Sequence, residues 1–276
     1  MRIFEYVTLL RPSNFVITVA SVFVACLLAG GGVQLFPAMM CASIAAGLIG
    51  GGGMVVNDIL DIEIDRINKP SRPLASGRIS PRSASLFYAV LTAVGLLLNL
   101  FIHSTAQAIA AGAALLIFFY SYRLKSTPLF GNLTVGFLTG LTFIYGGAVV
   151  GNIERAFIPA LFAFLINVGR EVIKDMEDVE GDARHNAATF PVRYGKTPAS
   201  AVATVFLLAV IGSTIIPFAD HQYGLLYFSL VTAGVNVVVA YTIVSMWKDS
   251  TPANLHRLST ILKYDMLIGL IAIYLG

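Results

Sequence analysis

The sequence predicts an all-α, polytopic membrane protein with nine transmembrane helices. Its composition is the first reason: hydrophobic residues make up 57% of the 276 residues and charged residues only 12%, with a mean hydropathy of +0.81. Soluble domains carry roughly 25% charged residues. The second reason is length, because nine apolar stretches come near the ~20 residues that cross a bilayer. The third is the placement of Lys and Arg in the segments that join these stretches.

The nine predicted spans follow one another along the whole chain. They are Phe15–Gly30, Phe36–Val56, Ala84–Ile102, Ala106–Tyr120, Leu133–Val150, Ala156–Gly169, Ser200–Pro217, Tyr223–Met246 and Leu258–Gly276. The first follows Arg11-Pro12, and we expect it to be kept as a span rather than cleaved as a signal peptide, because the charge pattern requires it.

The basic residues predict the orientation of these spans. Lys and Arg accumulate in cytoplasmic loops, and a cytoplasmic amino terminus places all of the 18 basic residues except Arg155 on that side. The carboxyl terminus then lies outside. We therefore expect a multi-pass protein of the cell membrane, with the lipid bilayer as its surroundings. The basic residues form no contiguous stripe, which argues against nucleic-acid binding.

The pattern D-x-x-D-x-x-x-D occurs twice, 117 residues apart, at the predicted cytoplasmic ends of the second and sixth spans. The first copy is Asp58, Asp61 and Asp65, and the second is Asp175, Asp178 and Asp182. On a helix of 3.6 residues per turn, positions i, i+3 and i+7 share a face, so each triplet is able to direct its oxygens to one point. This geometry is suited to a hard cation.

The repeated acidic pattern also predicts an internal duplication. Polar loops of similar length follow the two copies, at residues 57–82 and 170–199, and both are expected to be cytoplasmic. The chain is then two four-helix units plus a ninth helix, within a single transmembrane domain of residues 1–276. Each loop is predicted to begin as a helical extension of its span and to turn at Pro70 or Gly181.

The acidic residues and the neighbouring bases together indicate a metal–diphosphate site. Mg²⁺ prefers oxygen ligands and is commonly held by carboxylates together with substrate phosphates. Six carboxylates without cations would repel one another. Asn57 shares the face of the first triplet and is able to support it. The basic residues predicted in the same layer, which suit contacts with phosphate oxygens, are Arg66, Lys69, Arg72, Arg123, Lys125, Arg170 and Lys174.

A run of four glycines, Gly50 to Gly53, lies within the second span just before the first triplet. Each glycine costs roughly 1 kcal/mol relative to alanine in a helix. The run permits either a close approach of neighbouring helices or a local break of the helix, and the sequence leaves both open.

These segments resemble the UbiA superfamily of intramembrane prenyltransferases. The similarity rests on NDxxDxxxD, the NKPSRP that follows it, the second acidic triplet and the nine-span layout, and it covers nearly the whole chain. It implies a helical bundle around a central cavity that opens to lipid. It also implies that both acidic motifs bind Mg²⁺ and a prenyl diphosphate, whose prenyl group is transferred to a lipophilic acceptor.

The resemblance also implies roles for individual residues. The six aspartates would be the metal ligands and the catalytic group, supported by Asn57. Lys125 of YSYRLK is the first candidate for a contact with the diphosphate, ahead of Arg66, Lys69, Arg72 and Arg123. The segments DRINKPSRPLASGRIS, YSYRLKSTPLFGN and REVIKDMEDVEGD are most similar to the archaeal branch that transfers geranylgeranyl to geranylgeranylglyceryl phosphate. The phosphate of that acceptor needs a further cation, for which Arg11, Arg170 and Lys174 are candidates.

Three other functions share part of this pattern. An aromatic acceptor is the alternative within the superfamily. A cation-coupled secondary transporter is the alternative from another class, but it predicts acids near the bilayer midplane rather than at the ends of spans. A CDP-alcohol phosphotransferase also uses paired acids and magnesium, yet its D-G-x-x-A-R signature does not occur in the sequence.

Overall fold

The protein is all-helical in the computed structural model, which describes residues 2–184 and 187–276. Short 3₁₀ turns join some helices, and residues Val231–Asn236 form a π-helical segment. The helices, in chain order, are α1 (Arg2–Leu10), α2 (Pro12–Leu28), α3 (Phe36–Leu60), α4 (Ile62–Asn68), α5 (Pro81–Asn99), α6 (Ser104–Tyr122), α7 (Phe130–Val150), α8 (Phe157–Glu177), α9 (Val179–Arg184), α10 (Phe190–Tyr194), α11 (Lys196–Ala219), α12 (Leu225–Leu230), α13 (Val237–Lys248) and α14 (Pro252–Leu275).

The prediction of nine spans is confirmed. In the described part of the chain, eight helices are long and apolar enough to cross a membrane, and a ninth arises when the bent pair of α1 and α2 is counted as one span. The two members of that pair meet at 51° around Arg11, whose φ of 52° lies in the left-handed region. The apolar run of the sixth predicted span ends at Gly169, and its helix continues through the charged residues to Glu177, in agreement with the predicted helical extension.

The chain forms two compact units. The first comprises Met1–Leu124 and Leu141–Phe157, and the second comprises Lys125–Gly140 and Ile158–Gly276, so that α7 contributes to both. Each unit has its own buried apolar core.

In the first unit, α3 packs against α2, α5 and α6. The buried core includes Val22, Met39 and Tyr145, whose hydroxyl donates a 2.7 Å hydrogen bond to Asn99 Oδ1. A second buried cluster lies near the carboxyl end of α3 and contains Val55 together with Leu74 and Ile79 from the loop that follows α4. The loop is therefore packed onto the helices rather than left free in solvent.

The glycine run is a site of close packing, not a break. Helix α3 continues through all four glycines. A Cβ atom added at Gly52 would lie 2.8 Å from Thr92 Oγ1 on α5, and one added at Gly53 would lie 2.5 Å from Ile117 Cγ2 on α6. Of the two interpretations that the sequence left open, close helix approach is confirmed.

In the second unit, the core is formed by α8, α11, α13 and α14. Helix α8 directs Val172, Ile173 and Met176 into this core. These residues pack with leucines such as Leu207 and Leu258. Asp175 lies beside them in the sequence of α8 but is not part of this apolar cluster.

We expect the close approach of α7 to α2 to be intolerant of an added methyl group. A Cβ atom at Gly146 would lie 2.6 Å from Ala25 Cβ and 2.9 Å from the backbone carbon of Ala25. The Gly146→Ala variant should lose about 1–3 kcal/mol of stability, measured as a lower temperature of thermal unfolding in detergent. Gly112→Ala is the matched control because nothing lies within 4 Å of its added Cβ. Equal unfolding temperatures for the two variants would contradict this packing.

Candidate active site

The first acidic motif lies at the carboxyl end of α3, where the helix is interrupted at its middle aspartate. Helix α3 ends at Leu60, α4 begins at Ile62, and Asp61 between them has φ −99° and ψ 8°. The backbone hydrogen bonds nevertheless continue, from Asp61 N to Asn57 O at 3.0 Å and from Asp65 N to Asp61 O at 2.7 Å. The predicted helical extension and the turn at Pro70 are confirmed, since α4 ends at Asn68 and turn residues begin at Pro70.

The second motif has the same local structure. Helix α8 ends at Glu177 and α9 begins at Val179, with Asp178 between them. The corresponding backbone bonds run from Asp178 N to Lys174 O and from Asp182 N to Asp178 O, both at 3.0 Å. The predicted turn at Gly181 is wrong, because Gly181 lies inside α9. The shared interruption at the middle aspartate supports the predicted duplication.

Two aspartates of the first motif are buried and bound to arginine. Asp58 is 3% exposed and Asp65 is 5% exposed. The Nη1 atom of Arg72 donates to both, at 3.1 Å to Asp58 and 2.5 Å to Asp65. Nη2 of Arg11 donates to Asp58 at 2.5 Å. A buried carboxylate is costly unless it is paired and hydrogen-bonded, and these two arginines provide that pairing.

The loop after α4 fixes the position of Arg72. The backbone N–H of Arg72 donates to Lys69 O at 2.9 Å, and Ser76 N donates to Arg72 O at 2.9 Å. Leu74, two residues further on, is buried against the end of α3. The turn and this apolar anchor together hold the guanidinium at the acidic motif.

Asp61, the middle aspartate of the first motif, has a different partner. Asn57 Nδ2 donates to Asp61 Oδ2 at 2.9 Å, so Asn57 does contact the first motif as the sequence predicts. The three carboxylates of the motif therefore do not converge on one point. Within residues 2–184 and 187–276, no group of three histidine, cysteine, aspartate or glutamate side chains is arranged to hold a metal ion by itself.

Neutral side chains donate hydrogen bonds to two aspartates of the second motif. Asn132 Nδ2, from the first turn of α7, donates to Asp175 Oδ2 at 2.7 Å. Thr189 Oγ1 donates to Asp182 at 3.0 Å. Asp178 is exposed. Asn132 was missed by the sequence reasoning, although it belongs to the YSYRLKSTPLFGN segment and is a buried polar residue at the start of an apolar span.

The remaining basic candidates fall into two groups. Arg66 is exposed and bonded to Glu63 on its own helix at 2.8 Å, and Lys69 is exposed in the adjoining loop. Arg123 and Lys125 follow directly on α6, and both have interactions within the protein.

Arg170 and Lys174 share one glutamate. Arg170 Nη1 donates to Glu171 at 2.9 Å, and Lys174 Nζ donates to Glu171 at 2.8 Å. Arg170 Nε also donates to the carbonyl of Ser259 on α14 at 2.9 Å. These two cations therefore have a local acidic partner on α8 itself.

The oxygen atoms of the two motifs are of the kind that Mg²⁺ binds. Each motif, taken by itself, offers carboxylates and one neighbouring amide, Asn57 in the first unit and Asn132 in the second. Mg²⁺ prefers such hard oxygen ligands and keeps several waters or substrate oxygens. The residues present thus fit a magnesium ion that is completed by phosphate oxygens.

Comparison with known proteins finds relatives that match nearly the full length of this chain. The sequence profile of the UbiA prenyltransferase family matches residues 18–263. The digeranylgeranylglyceryl phosphate synthase of Methanopyrus kandleri is 38% identical over 267 residues, which cover 97% of this chain and 97% of that protein. The enzyme of the same name from Methanothermobacter thermautotrophicus is 33% identical over 98% of this chain and 95% of its own length.

Solved structures agree with the sequence comparison. A structure described as that of digeranylgeranylglyceryl phosphate synthase in membranes has a TM-score of 0.85 at 32% identity, covering 100% of this chain and 98% of that chain. A UbiA homolog from Archaeoglobus fulgidus bound to GPP and Mg²⁺ has a TM-score of 0.63 at 17% identity, covering 98% and 99% of the two chains. This chain therefore belongs to the UbiA prenyltransferase family.

Proposed function

We propose that the protein transfers a geranylgeranyl group from its diphosphate to geranylgeranylglyceryl phosphate, with Mg²⁺ and with release of diphosphate. The observation that carries this proposal is the match, at 38% identity over 97% of both chains, to the digeranylgeranylglyceryl phosphate synthase of Methanopyrus kandleri. Both acidic motifs are present at the ends of spans, where a lipid diphosphate can place its head group. The protein is thus an alkyl-transferring enzyme of archaeal ether-lipid synthesis.

We assign the metal ligands to the two motifs, namely Asp58, Asp61, Asp65, Asp175, Asp178 and Asp182, with Asn57 in support. The Archaeoglobus fulgidus homolog was solved with GPP and Mg²⁺ bound, which supports the same pairing of metal and prenyl diphosphate here. When bound, Mg²⁺ supplies positive charge that stabilises the departing diphosphate.

The basic residues near the motifs are proposed to bind the diphosphate. Arg72 is the residue best placed for this role in the first unit, because both of its contacts with Asp58 and Asp65 use Nη1 and a guanidinium carries five N–H donors. Lys125, Arg123, Arg66 and Lys69 are the further candidates.

The acceptor carries its own phosphate and needs a separate cation. Arg11, Arg170 and Lys174 are proposed for this contact. Arg170 and Lys174 share Glu171, so the glutamate partly neutralises their charge, whereas Arg11 is paired with Asp58 at the first motif. In each case an anionic phosphate would compete with a carboxylate for the cation.

We further propose that residues 1–276 act as one prenyltransferase domain in the cell membrane, with the amino terminus and both acidic loops in the cytoplasm. The distribution of Lys and Arg supports this orientation. Asp58 lies two residues before the end of α3, and Asp178 lies just after the end of α8. Acids at span ends support a head-group site more than a midplane transport site.

Removing one metal ligand should abolish transfer without unfolding the protein. We expect Asp61→Ala and Asp178→Ala each to lower magnesium-dependent transfer by at least ~100-fold, or about 3 kcal/mol, because a metal site contributes several kcal/mol. The matched control is Glu63→Ala, which removes an exposed acid of the same segment that is bonded to Arg66. The proposed metal role fails if either aspartate variant turns over like Glu63→Ala.

The acceptor should be identified by product analysis. Purified protein is incubated with geranylgeranyl diphosphate, Mg²⁺ and one of four acceptors: geranylgeranylglyceryl phosphate, 4-hydroxybenzoate, a naphthoate or a porphyrin-type alcohol. We expect the prenylated glyceryl phosphate as the product, detected by mass spectrometry. A prenylated aromatic product in its place would move the protein to the aromatic branch of the family.

The orientation should be visible in cysteine labelling. In a background in which Cys26 and Cys41 are replaced by alanine, single cysteines are introduced as Arg155→Cys and Lys248→Cys, both at exposed positions. A membrane-impermeant maleimide added to intact cells should label position 155 and not position 248, with the reverse in inverted vesicles. Labelling of position 248 in intact cells would refute the proposed orientation.

A further inference from the structure

Asp175 is held by an amide group from a different helix. Asn132 lies in the first turn of α7 and is 5% exposed. Its Nδ2 donates to Asp175 Oδ2 at 2.7 Å, a short distance for a bond between an amide and a carboxylate. This contact joins α7 and α8 within the second unit.

The internal repeat makes this contact unexpected. The 117-residue offset that relates the two motifs pairs Asn57 with Lys174. Asn57 donates to an aspartate of its own motif, whereas Lys174 donates to Glu171. Helix α8 therefore has no amide at the position where α3 has one. The second motif receives its amide from α7 instead.

Asp58 and Asp175, the first aspartates of the two motifs, have hydrogen-bond partners of different charge. Asp58 accepts hydrogen bonds from two arginine side chains, Arg11 and Arg72. Asp175, its counterpart, accepts its hydrogen bond from a neutral amide. A guanidinium offsets the negative charge of the carboxylate to which it binds, whereas an amide fixes the orientation of the carboxylate and leaves its charge available to a cation.

We propose that Asn132 is a positioning residue of the metal–diphosphate site, which orients the Asp175 carboxylate for Mg²⁺ by donating from Nδ2. This inference rests on the proposed function. Hydrogen bonds to a ligating carboxylate commonly set its orientation, and their loss lowers metal affinity by about 10–100-fold. The carbonyl oxygen of the same amide is of the kind that ligates Mg²⁺ or accepts a hydrogen bond from its bound water.

The test measures cation binding directly and does not require turnover. Mn²⁺ serves as the probe in place of Mg²⁺, together with inorganic diphosphate, and the bound fraction is read by electron paramagnetic resonance on the purified full-length protein in detergent. Asn132→Ala is expected to weaken Mn²⁺ binding about 10–100-fold. Asn132→Leu keeps the approximate size of the side chain but has neither donor nor charge, and it should weaken binding as well.

The control is Asn167→Ala. Asn167 is also 5% exposed and also belongs to the second unit, but its Nδ2 donates to the carbonyl of Ala163 and to Met266 Sδ. This variant should bind Mn²⁺ like the unmodified protein. Thermal unfolding without metal reports any loss of stability, and if Asn132→Ala fails to fold, the similarly sized Asn132→Leu carries the test.

The outcomes separate the two proposals. If Asp175→Asn loses Mn²⁺ binding while Asn132→Ala and Asn132→Leu bind like Asn167→Ala, then Asn132 is only a packing residue and this inference is overturned. If the unmodified protein does not bind Mn²⁺ with diphosphate, or if Asp175→Asn binds normally, the proposed metal site itself fails. Weakened binding in both Asn132 variants, with Asn167→Ala unaffected, supports the positioning role.

Discussion

The need to neutralise carboxylates at the edge of an apolar helix bundle shapes the first acidic motif. Asp58 and Asp65 are almost fully buried, and a single atom of Arg72 donates to both. Isolated charges of this kind would be strongly unfavourable in a low-dielectric region. The folded loop after α4 is needed to bring Arg72 to them, and the burial of Leu74 and Ile79 is in turn needed to hold that loop. The charge balance of the motif therefore depends on the apolar packing of the loop.

The two halves of the chain share their backbone design and differ in their side-chain chemistry. Both motifs interrupt a helix at the middle aspartate with the same hydrogen bonds on either side. Pro81 and Pro198, near the starts of α5 and α11, are also 117 residues apart. In the first half Asp58 and Asp65 are paired with arginine, whereas in the second half Asp175 accepts from the neutral amide of Asn132. The duplicated backbone thus holds the first aspartate of each motif with a partner of different charge.

Much of the fold could be predicted from the sequence because the bilayer imposes a simple rule of length and polarity. All nine spans were found, since every one contains an apolar run that a water-soluble protein would not tolerate. The helix ends were less well predicted. Charged residues such as Arg170 and Lys174 ended the apolar run of the sixth span, yet local pairing with Glu171 keeps them in the helix to Glu177.

The sequence shows the two acidic motifs but not which side chains donate to each aspartate. Spacing along the chain shows that Asp58 and Asp65 belong together, because it reflects the period of a helix. It does not show that Arg11, 47 residues earlier, donates to Asp58, nor that Asn132 on another helix donates to Asp175. Such contacts depend on how helices pack, which a single sequence does not display. The interruptions at Asp61 and Asp178 were missed for a related reason, since neither position is a glycine or a proline.

The left-handed conformation of Arg11 places two opposing demands on one position of the chain. With φ at 52°, the backbone there favours glycine or asparagine, which adopt this region at little cost. Neither of those residues carries the positive charge that Asp58 receives from the guanidinium. Glycine or asparagine at this position would thus relieve the backbone strain but leave Asp58 without one of its cations. Lysine would keep the positive charge but would not relieve the strain. Few amino acids can occupy this position, although it lies in a short junction that sequence alone would mark as tolerant.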